Sequence, residues 1–127
     1  MPVYSLYPIY RPQFVANAAA KLVLATGAAG NVVPAGYNYK IDVFHVINVT
    51  AAPVTLKIWR VPSGGASGNG NIVVPVTVLV PVASQTFPQF DVTSLWGAVL
   101  TEGEWIEALA GSASALVAEA DGVIVQI

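Results

Sequence analysis

The side chains that could carry out chemistry are few and widely spaced in this sequence. His45 is the only histidine and cysteine is absent, which excludes thiolate catalysis, disulfides and the usual zinc ligand sets. A Ser/His/Asp arrangement would have His45 as its one possible base. Because this residue stands in a run of strand positions otherwise rich in Ile and Val, we interpret it as a core or interface histidine with a hydrogen-bonded ring.

The acidic residues offer two further arrangements. Glu104 and Glu107 resemble the paired carboxylates of a glycoside hydrolase, but their odd spacing along a strand sends the two side chains to opposite faces. Glu119 and Asp121 could join a calcium site, but no Asp-rich loop surrounds them. We therefore predict no catalytic residue, no metal site, no cofactor and no enzymatic activity.

Charge is scarce in the composition. Asp, Glu, Lys and Arg make up 9% of the 127 residues, against about 25% in an average soluble domain, and the mean hydropathy is +0.66. One interpretation is a weakly charged, Ala- and Val-rich sandwich. The one we favour is that much of the surface is buried against other subunits in a homo-oligomer or larger assembly.

The distribution of charge and apolar residues excludes several partners. Residues 1–41 carry three bases and no acid, and no base follows Arg60, so the dense Lys/Arg patch of a nucleic-acid-binding protein is missing. Gly, Pro or charge interrupts every apolar stretch before the roughly 18 residues of a membrane-spanning helix. Arg11 follows the first apolar residues instead of preceding them, unlike in a signal peptide. We predict a soluble protein without a targeting segment.

The first 18 residues have the composition of an extended arm. Tyr4, Tyr7 and Tyr10 recur at every third position among prolines, a spacing compatible with a polyproline-like segment that presents its tyrosines in a row. Tyrosine is common at interfaces because it combines apolar area with a polar tip. We predict that the arm contacts a partner through Tyr4, Tyr7, Tyr10, Arg11 and Phe14; the alternatives are an arm packed on its own domain or a frayed one.

The clearest strand pattern, from Tyr37 to Val61, predicts a β-hairpin with one buried face. In its first half the apolar residues of that face are Ile41, Val43, Ile47 and Val49. In its second half they are Val54, Leu56 and Ile58. The opposite face, with Phe44, Val46 and Trp59, is predicted to form a second packing layer or a partner contact.

The rest of the chain predicts further short strands separated by turns. They span residues 20–26, 72–82, 86–92, 104–110, 115–120 and 123–127. Pro75 and Pro81 confine the second of these to a sheet edge or to bulges. Residues 62–71 are predicted to form an exposed Gly-rich loop, Asp91 or Thr93 to cap a single helical turn, and Asp121-Gly122 to form the tight turn of a terminal hairpin.

Together these elements predict an all-β fold. We expect an antiparallel β-sandwich, jelly-roll or immunoglobulin-like, of about eight strands over residues 19–127, preceded by the extended arm at residues 1–18.

The three tryptophans have three possible roles. They could close the ends of the sandwich, contact another subunit, or provide a stacking platform for sugars. Among the residues of the sheets, we select Phe44, Trp59 and Trp105 as candidate partner contacts. The sugar platform would make the chain a carbohydrate-binding module acting through Trp59 or Trp105, and a hydrolase would need a cleft that gathers Glu104, Glu107 or His45.

Several short runs resemble small β-sandwich virion proteins of tailed bacteriophages. They are VPAG at residues 33–36, HVIN at 45–48, VPSG at 61–64, LTEGEWIEA at 100–108, and Gly122-Val123. The resemblance covers residues 32–127 and leaves out the Tyr/Pro-rich start. It implies no catalytic residues and a role as a capsid decoration or cement protein, head fibre, or neck or tail accessory.

The expected function is therefore that of a structural protein that stabilises a phage shell. Its partners would be the major capsid protein or other virion proteins, its location the virion after assembly in the host cytoplasm, and a small-molecule ligand is not expected. The alternative within this class is a neck, tail or fibre-attachment protein.

Overall fold

The computed structural model describes residues 7–84 and 86–127, with the backbone alone at residues 75–78. The described strands are β1 (Tyr7–Phe14), β2 (Ala20–Lys21), β3 (Tyr37–Asn48), β4 (Val54–Val61), β5 (Ile72–Val80), β6 (Phe90–Asp91), β7 (Val99–Leu100), β8 (Trp105–Ala110) and β9 (Leu116–Gln126). Short 3-10 turns occur at Ala29–Asn31, Asn69–Asn71 and Thr93–Leu95. The last is the predicted helical turn, but it follows Val92 without a side-chain cap, so the predicted capping by Asp91 or Thr93 is wrong.

The strands form two antiparallel sheets packed face to face, which confirms the all-β sandwich. Sheet A has the order β1-β9-β3-β6, with β7 also paired to β3, and sheet B has the order β2-β8-β4-β5. Both sheets supply the core, which includes Ile41, Phe44, Val46, Leu116, Ala118 and Ala120 from sheet A and Leu56, Ile58, Ile106, Ala108 and Ala110 from sheet B. As predicted from its prolines, β5 lies at the edge of its sheet and contains register shifts against β4.

A bulge in β3 decides which side chains face the core. In the pairing with β9, Ile41 lies opposite Gly122 and Val43 opposite Asp121, so Asp42 is an extra residue. The extra residue reverses the alternation after Ile41, because a strand turns successive side chains to opposite faces. Phe44 and Val46 are therefore buried, and Val43 is exposed. Within β3 the predicted buried face is right for Ile41 and wrong beyond the bulge, whereas in β4 the predicted Val54, Leu56 and Ile58 are buried.

The same bulge explains the dipeptide that resembled a turn. Asp121-Gly122 lies within the single long strand β9, so the predicted terminal hairpin is wrong. A Cβ atom on Gly122 would overlap the carbonyl oxygen of Lys40 and crowd the amide nitrogen of Asp42. This glycine therefore serves the close approach of two backbones, and not a reversal of the chain.

The predicted hairpin at residues 37–61 is also wrong: both of its strands form, but they do not pair with each other. β3 belongs to sheet A and β4 to sheet B, so the chain crosses between the sheets after Asn48. The buried amide of Asn48 organises this crossing: its Nδ2 donates to the carbonyl oxygens of Ala52 (2.8 Å) and Val80 (2.9 Å). Its Oδ1 accepts from the backbone nitrogen and the hydroxyl of Thr50. Both donor hydrogens and both acceptor positions of the Asn48 amide are therefore hydrogen-bonded, as burial of a polar side chain requires.

Residues 7–15 of the predicted arm are part of the sandwich. β1 pairs with β9 from Tyr7, opposite Gly122, to Phe14, opposite Val117. Ile9 and Val15 are buried in the core, so the predicted boundary at residue 18 is wrong for residues 7–15. The prediction weighed proline and tyrosine spacing, but an edge strand with bulges accommodates proline as well. Residues 1–6, which include Tyr4, lie outside the described residues.

Candidate interaction surface

The side of sheet A that faces away from the core carries a row of apolar side chains. We define the outer A face as Phe14, Val43, His45, Ile47, Val49, Val117 and Glu119. Phe14 lies opposite Val117 on one side, and Ile47 lies opposite Val117 on the other, so the three side chains share a face. Phe14 is 57% exposed and Val49 55% exposed. The bulge at Asp42 contributes to this face by turning Val43 and Ile47 of β3 outward, and Phe14 joins them from β1.

A polar pair lies in the middle of this face. His45 and Glu119 are cross-strand partners, and Nε2 of His45 lies 2.8 Å from Oε1 of Glu119. Across the other side of β3, His45 pairs with Asp91, whose Oδ1 accepts a hydrogen bond from Gln89 (2.8 Å). The hydrogen-bonded ring is as predicted. The histidine lies half-buried on the outer side of the sheet, since the bulge reverses the faces before it.

The described side chains of the outer A face include neither a nucleophile nor a cluster of metal ligands. The face as defined contains no hydroxyl or thiol nucleophile beside the His45–Glu119 pair. Within residues 7–84 and 86–127, no group of three or more His, Cys, Asp or Glu side chains is placed to hold a metal ion. The arrangement is suited to contact with another protein, because apolar side chains surround the hydrogen-bonded pair of His45 and Glu119.

The predicted arm contacts have different positions in the strand β1. Tyr7, Arg11 and Phe14 are exposed. Tyr10 is 1% exposed and packs edge-on against Phe44, with ring centroids 6.2 Å apart. Burial raises the pKa of the Tyr10 hydroxyl above its ordinary range, partly offset by the backbone of Ile106. Tyr10 is therefore a core residue, and the structure leaves Tyr7, Arg11 and Phe14 available to a partner.

The predicted contacts in the sheets are all covered by the chain itself. Phe44 is fully buried, because the bulge turns it inward. Trp59 and Trp105 form a second apolar cluster with Val61 on the outer side of sheet B, under the half-buried side chains of Val32, Ile72 and Leu109. We call this the outer B cluster. Its members present little area to a partner or to a sugar ring.

Polar contacts fix the outer B cluster in place. Nζ of Lys21 lies 4.5 Å from the centroid of the Trp105 ring, a cation–π contact, and also donates to the carbonyl oxygen of Gly30 (3.2 Å). The indole nitrogen of Trp105 donates to Oε1 of Glu107 (3.0 Å). These contacts occupy the indole, so the stacking platform proposed for carbohydrate has little support here.

Glu104 and Glu107 lie apart, as their spacing predicts. Glu107 contacts Trp105 on the outer side of sheet B, whereas Glu104 binds Arg60 and Thr101. Desolvation acts to raise the pKa of Glu104, but hydrogen bonds from the Thr101 backbone and hydroxyl and from Arg60 outweigh it and hold that pKa below its ordinary value. The lowered pKa of Glu104 is the opposite of what a general acid needs.

Sequence reasoning missed the contacts that join the two sheets. Nη2 of Arg60, on β4, donates to the carbonyl oxygen of Val99 on β7 (2.6 Å) and so links sheet B to sheet A. The side-chain amide of Gln13 exchanges two hydrogen bonds with the backbone of Val23 (2.8 and 3.0 Å), in the manner of a paired strand. No local pattern reveals such partners, because they are distant in sequence.

Among the described residues, no helix has the length and apolarity that crossing a membrane requires. Comparison of the chain with protein-family models, with curated proteins and with solved structures found no match.

Proposed function

We propose that this chain is a non-enzymatic structural protein of a bacteriophage virion, of the capsid decoration or cement type, which binds the shell through the outer A face. The observation that carries the proposal is the exposed row of Phe14, Val43 and Val49 on one side of a well-packed sandwich. Exposed apolar patches of this kind mark interaction sites. The scarcity of charge agrees with a surface that is covered in an assembly.

The chain would stabilise the shell by binding across its subunits, without any chemical step. A neighbouring shell protein that covers the outer A face removes apolar area from water, at about 25 cal/mol per Å² before the costs of association. The His45–Glu119 pair in the middle of the face contributes orientation and selectivity more than affinity. Because a shell repeats the contact many times, a modest interface suffices to stabilise the particle.

The alternative within the same class is a neck, tail or fibre-attachment protein. It would use the same face within a closed ring, and the low charge supports it equally. The copy number in the particle separates the two, because a shell offers many equivalent sites and a neck or tail offers few.

The first test is quantitative mass spectrometry of purified particles of the phage that encodes the chain. Hundreds of copies per particle support decoration of the shell, and a handful support the neck or tail alternative. If purified particles contain none of the chain, the virion function is rejected.

The second test asks whether the outer A face makes the contact. Particles lacking the chain are incubated with the purified protein, with a Phe14→Lys/Val49→Lys variant, and with a Val23→Lys/Leu79→Lys control. The control residues are also exposed, each at 56%, and do not belong to the outer A face. We expect the first variant to lose at least about tenfold in affinity, because binding would bury two unpaired charges. Equal binding by both variants would reject the outer A face as the docking surface.

A further inference from the structure

A cavity of about 330 Å³ lies at the end of the sandwich where β3 begins and β9 ends. Its lining residues are Tyr37 and Tyr39 from β3, Ile124 from β9, and Thr26, Ala28, Ala29 and Pro34 from the segment between β2 and β3. None of them belongs to the outer A face. The cavity is therefore independent of the docking surface proposed above.

Small side chains keep this cavity open. The segment that crosses the end of the sandwich contributes Ala28, Ala29 and Pro34, where longer apolar side chains would fill the space. The sheet side is aromatic and aliphatic, through Tyr37, Tyr39 and Ile124. The volume is at the lower end of the range of small-molecule sites, about 300–1,000 Å³, and is roughly twice that of an engineered cavity of about 150 Å³ that holds benzene.

The lining side chains carry three hydroxyls, on Thr26, Tyr37 and Tyr39, and two of them are paired. Oγ1 of Thr26 and the hydroxyl oxygen of Tyr39 lie 3.1 Å apart, and either can be the donor. One hydrogen is used between them, so one hydroxyl hydrogen and several lone pairs remain for a ligand. No lining residue is an acid, a base or a histidine. A charged ligand would lose part of its hydration there without gaining a counter-ion.

We propose that this cavity binds a small neutral molecule built on one six-membered ring with a single hydroxyl group, of the phenol type. The ring would pack among Tyr37, Pro34 and Ile124, and the hydroxyl would join the hydrogen bond between Thr26 and Tyr39. Size, apolar lining and the isolated hydroxyl pair each select for this class. The earlier expectation that the chain takes no small ligand came from motifs, and no motif encodes a cavity assembled by three separate segments.

The experiment is an NMR titration of the isotope-labelled full chain with phenol, benzene and benzoate. We expect phenol to shift the amide signals of the lining residues saturably, with a dissociation constant of about 1 mM, as suits a ligand of this size. Benzene, which lacks the hydroxyl, should bind at least about fivefold more weakly, and benzoate at least about tenfold more weakly. Shifts that do not saturate, or that are equal for phenol and benzoate, would overturn the proposal.

Variants locate the binding. Ala28→Leu fills the cavity and should weaken phenol binding at least about tenfold, while Ala51→Leu, in the exposed connection between β3 and β4, should bind as the original chain does. Thr26→Val removes, at an exposed position, one hydroxyl of the pair that Thr26 forms with Tyr39 and should abolish the preference for phenol over benzene. Retained affinity in Ala28→Leu, or a retained preference in Thr26→Val, would overturn the proposal, and spectra of both variants establish that they fold.

Discussion

The outer sides of the two sheets differ in how far the chain covers their large apolar side chains. On sheet B, Trp59 and Trp105 are 9% and 8% exposed, because loop and strand residues cover them and Lys21 lies over one ring. On sheet A, Phe14 and Val49 remain more than half exposed. The chain thus covers the two tryptophans of sheet B with its own residues, although Val23 and Leu79 beside that sheet's edges stay 56% exposed, and it leaves the row on sheet A open.

This difference separates two explanations of the low charge. If the chain were simply a weakly charged sandwich, both outer sides would be expected to scatter their exposed apolar residues. On sheet B the exposed Val23 and Leu79 lie at opposite edges of the sheet, and the tryptophans between are covered. On sheet A, Phe14 and Ile47 flank Val117 as cross-strand neighbours. The exposed row on sheet A is therefore the better candidate for a surface that a second protein covers.

The largest expected effect on stability comes from a substitution at the bulge that turns Val43 and Ile47 to the outer A face. Gly122→Val should destabilise the chain by about 4 kcal/mol or prevent folding, because its Cβ would overlap the carbonyl oxygen of Lys40 at the bulge. Urea unfolding followed by fluorescence measures the change. Gly70→Ala is the control, since a Cβ there meets no atom within 4 Å. If both variants are equally stable, the bulge does not depend on this glycine.

A paired truncation compares the two outer sides directly. Trp105→Ala should lower the free energy of unfolding by about 3 kcal/mol, because it removes a large buried side chain. Phe14→Ala should change it by no more than about 0.5 kcal/mol, because the side chain is 57% exposed. Urea unfolding of both variants provides the measurement. Equal losses would mean that Phe14 has a role in the fold, and would weaken the case for it as a contact residue.

Glu104 holds Arg60, whose guanidinium links sheet B to sheet A, so its loss should lower the stability of the whole sandwich. Glu104→Gln weakens the hydrogen bonds to Thr101 and Arg60, at a cost of about 1 kcal/mol at neutral pH. Since folding lowers the pKa of Glu104, its stabilising contribution is complete above about pH 4.5 and is lost as the pH falls through the lowered folded value. Unfolding free energies measured from pH 7 to pH 3 should therefore converge for the original chain and the variant. A constant difference would assign the stabilisation to packing.

The smallest effect tests how the outer B cluster is covered. Lys21→Met keeps an apolar side chain over Trp105 but removes the cation, which should cost about 0.5 kcal/mol. The thermal midpoint should fall by a few degrees. In the background of Trp105→Ala the same substitution should have almost no effect, and an undiminished effect there would exclude the cation–π contact as its cause.

The parts of the fold that sequence could predict are those with undisturbed alternation. The buried faces of β4 and β8, such as Leu56 and Ile106, follow from a period of two, and the edge position of β5 follows from Pro75. The inward turn of Phe44 depends on one extra residue, Asp42, whose effect is set by the neighbouring strand β9. Alternation alone does not reveal a bulge, so the exposed face was assigned to the core and the buried face to a partner.

The same limit applied to the candidate contacts. Phe14 was identified as a contact residue from the composition of the N-terminal segment, and the structure leaves its side chain exposed. Trp59 and Trp105 were selected as exposed aromatics, but the residues that cover them come from distant segments that include Val32 and Ile72. Whether a side chain is covered by distant segments depends on the whole fold, and the sequence around that side chain does not indicate it.

The position of β9 in sheet A has a consequence for how the chain acquires its structure. β9 lies between β1 and β3, yet it follows both in the sequence, so the central pairings of this sheet join residues that are synthesised far apart in time. β1 must wait for β9 before it has any neighbour, and until then β3 can pair only with the short strands β6 and β7. Long-range pairing of this kind slows folding. During synthesis sheet B can pair β4 with β5 well before sheet A forms. The surface through which we propose the chain binds is therefore among the last parts of the molecule to take shape, which delays contact with a partner until the sandwich is complete.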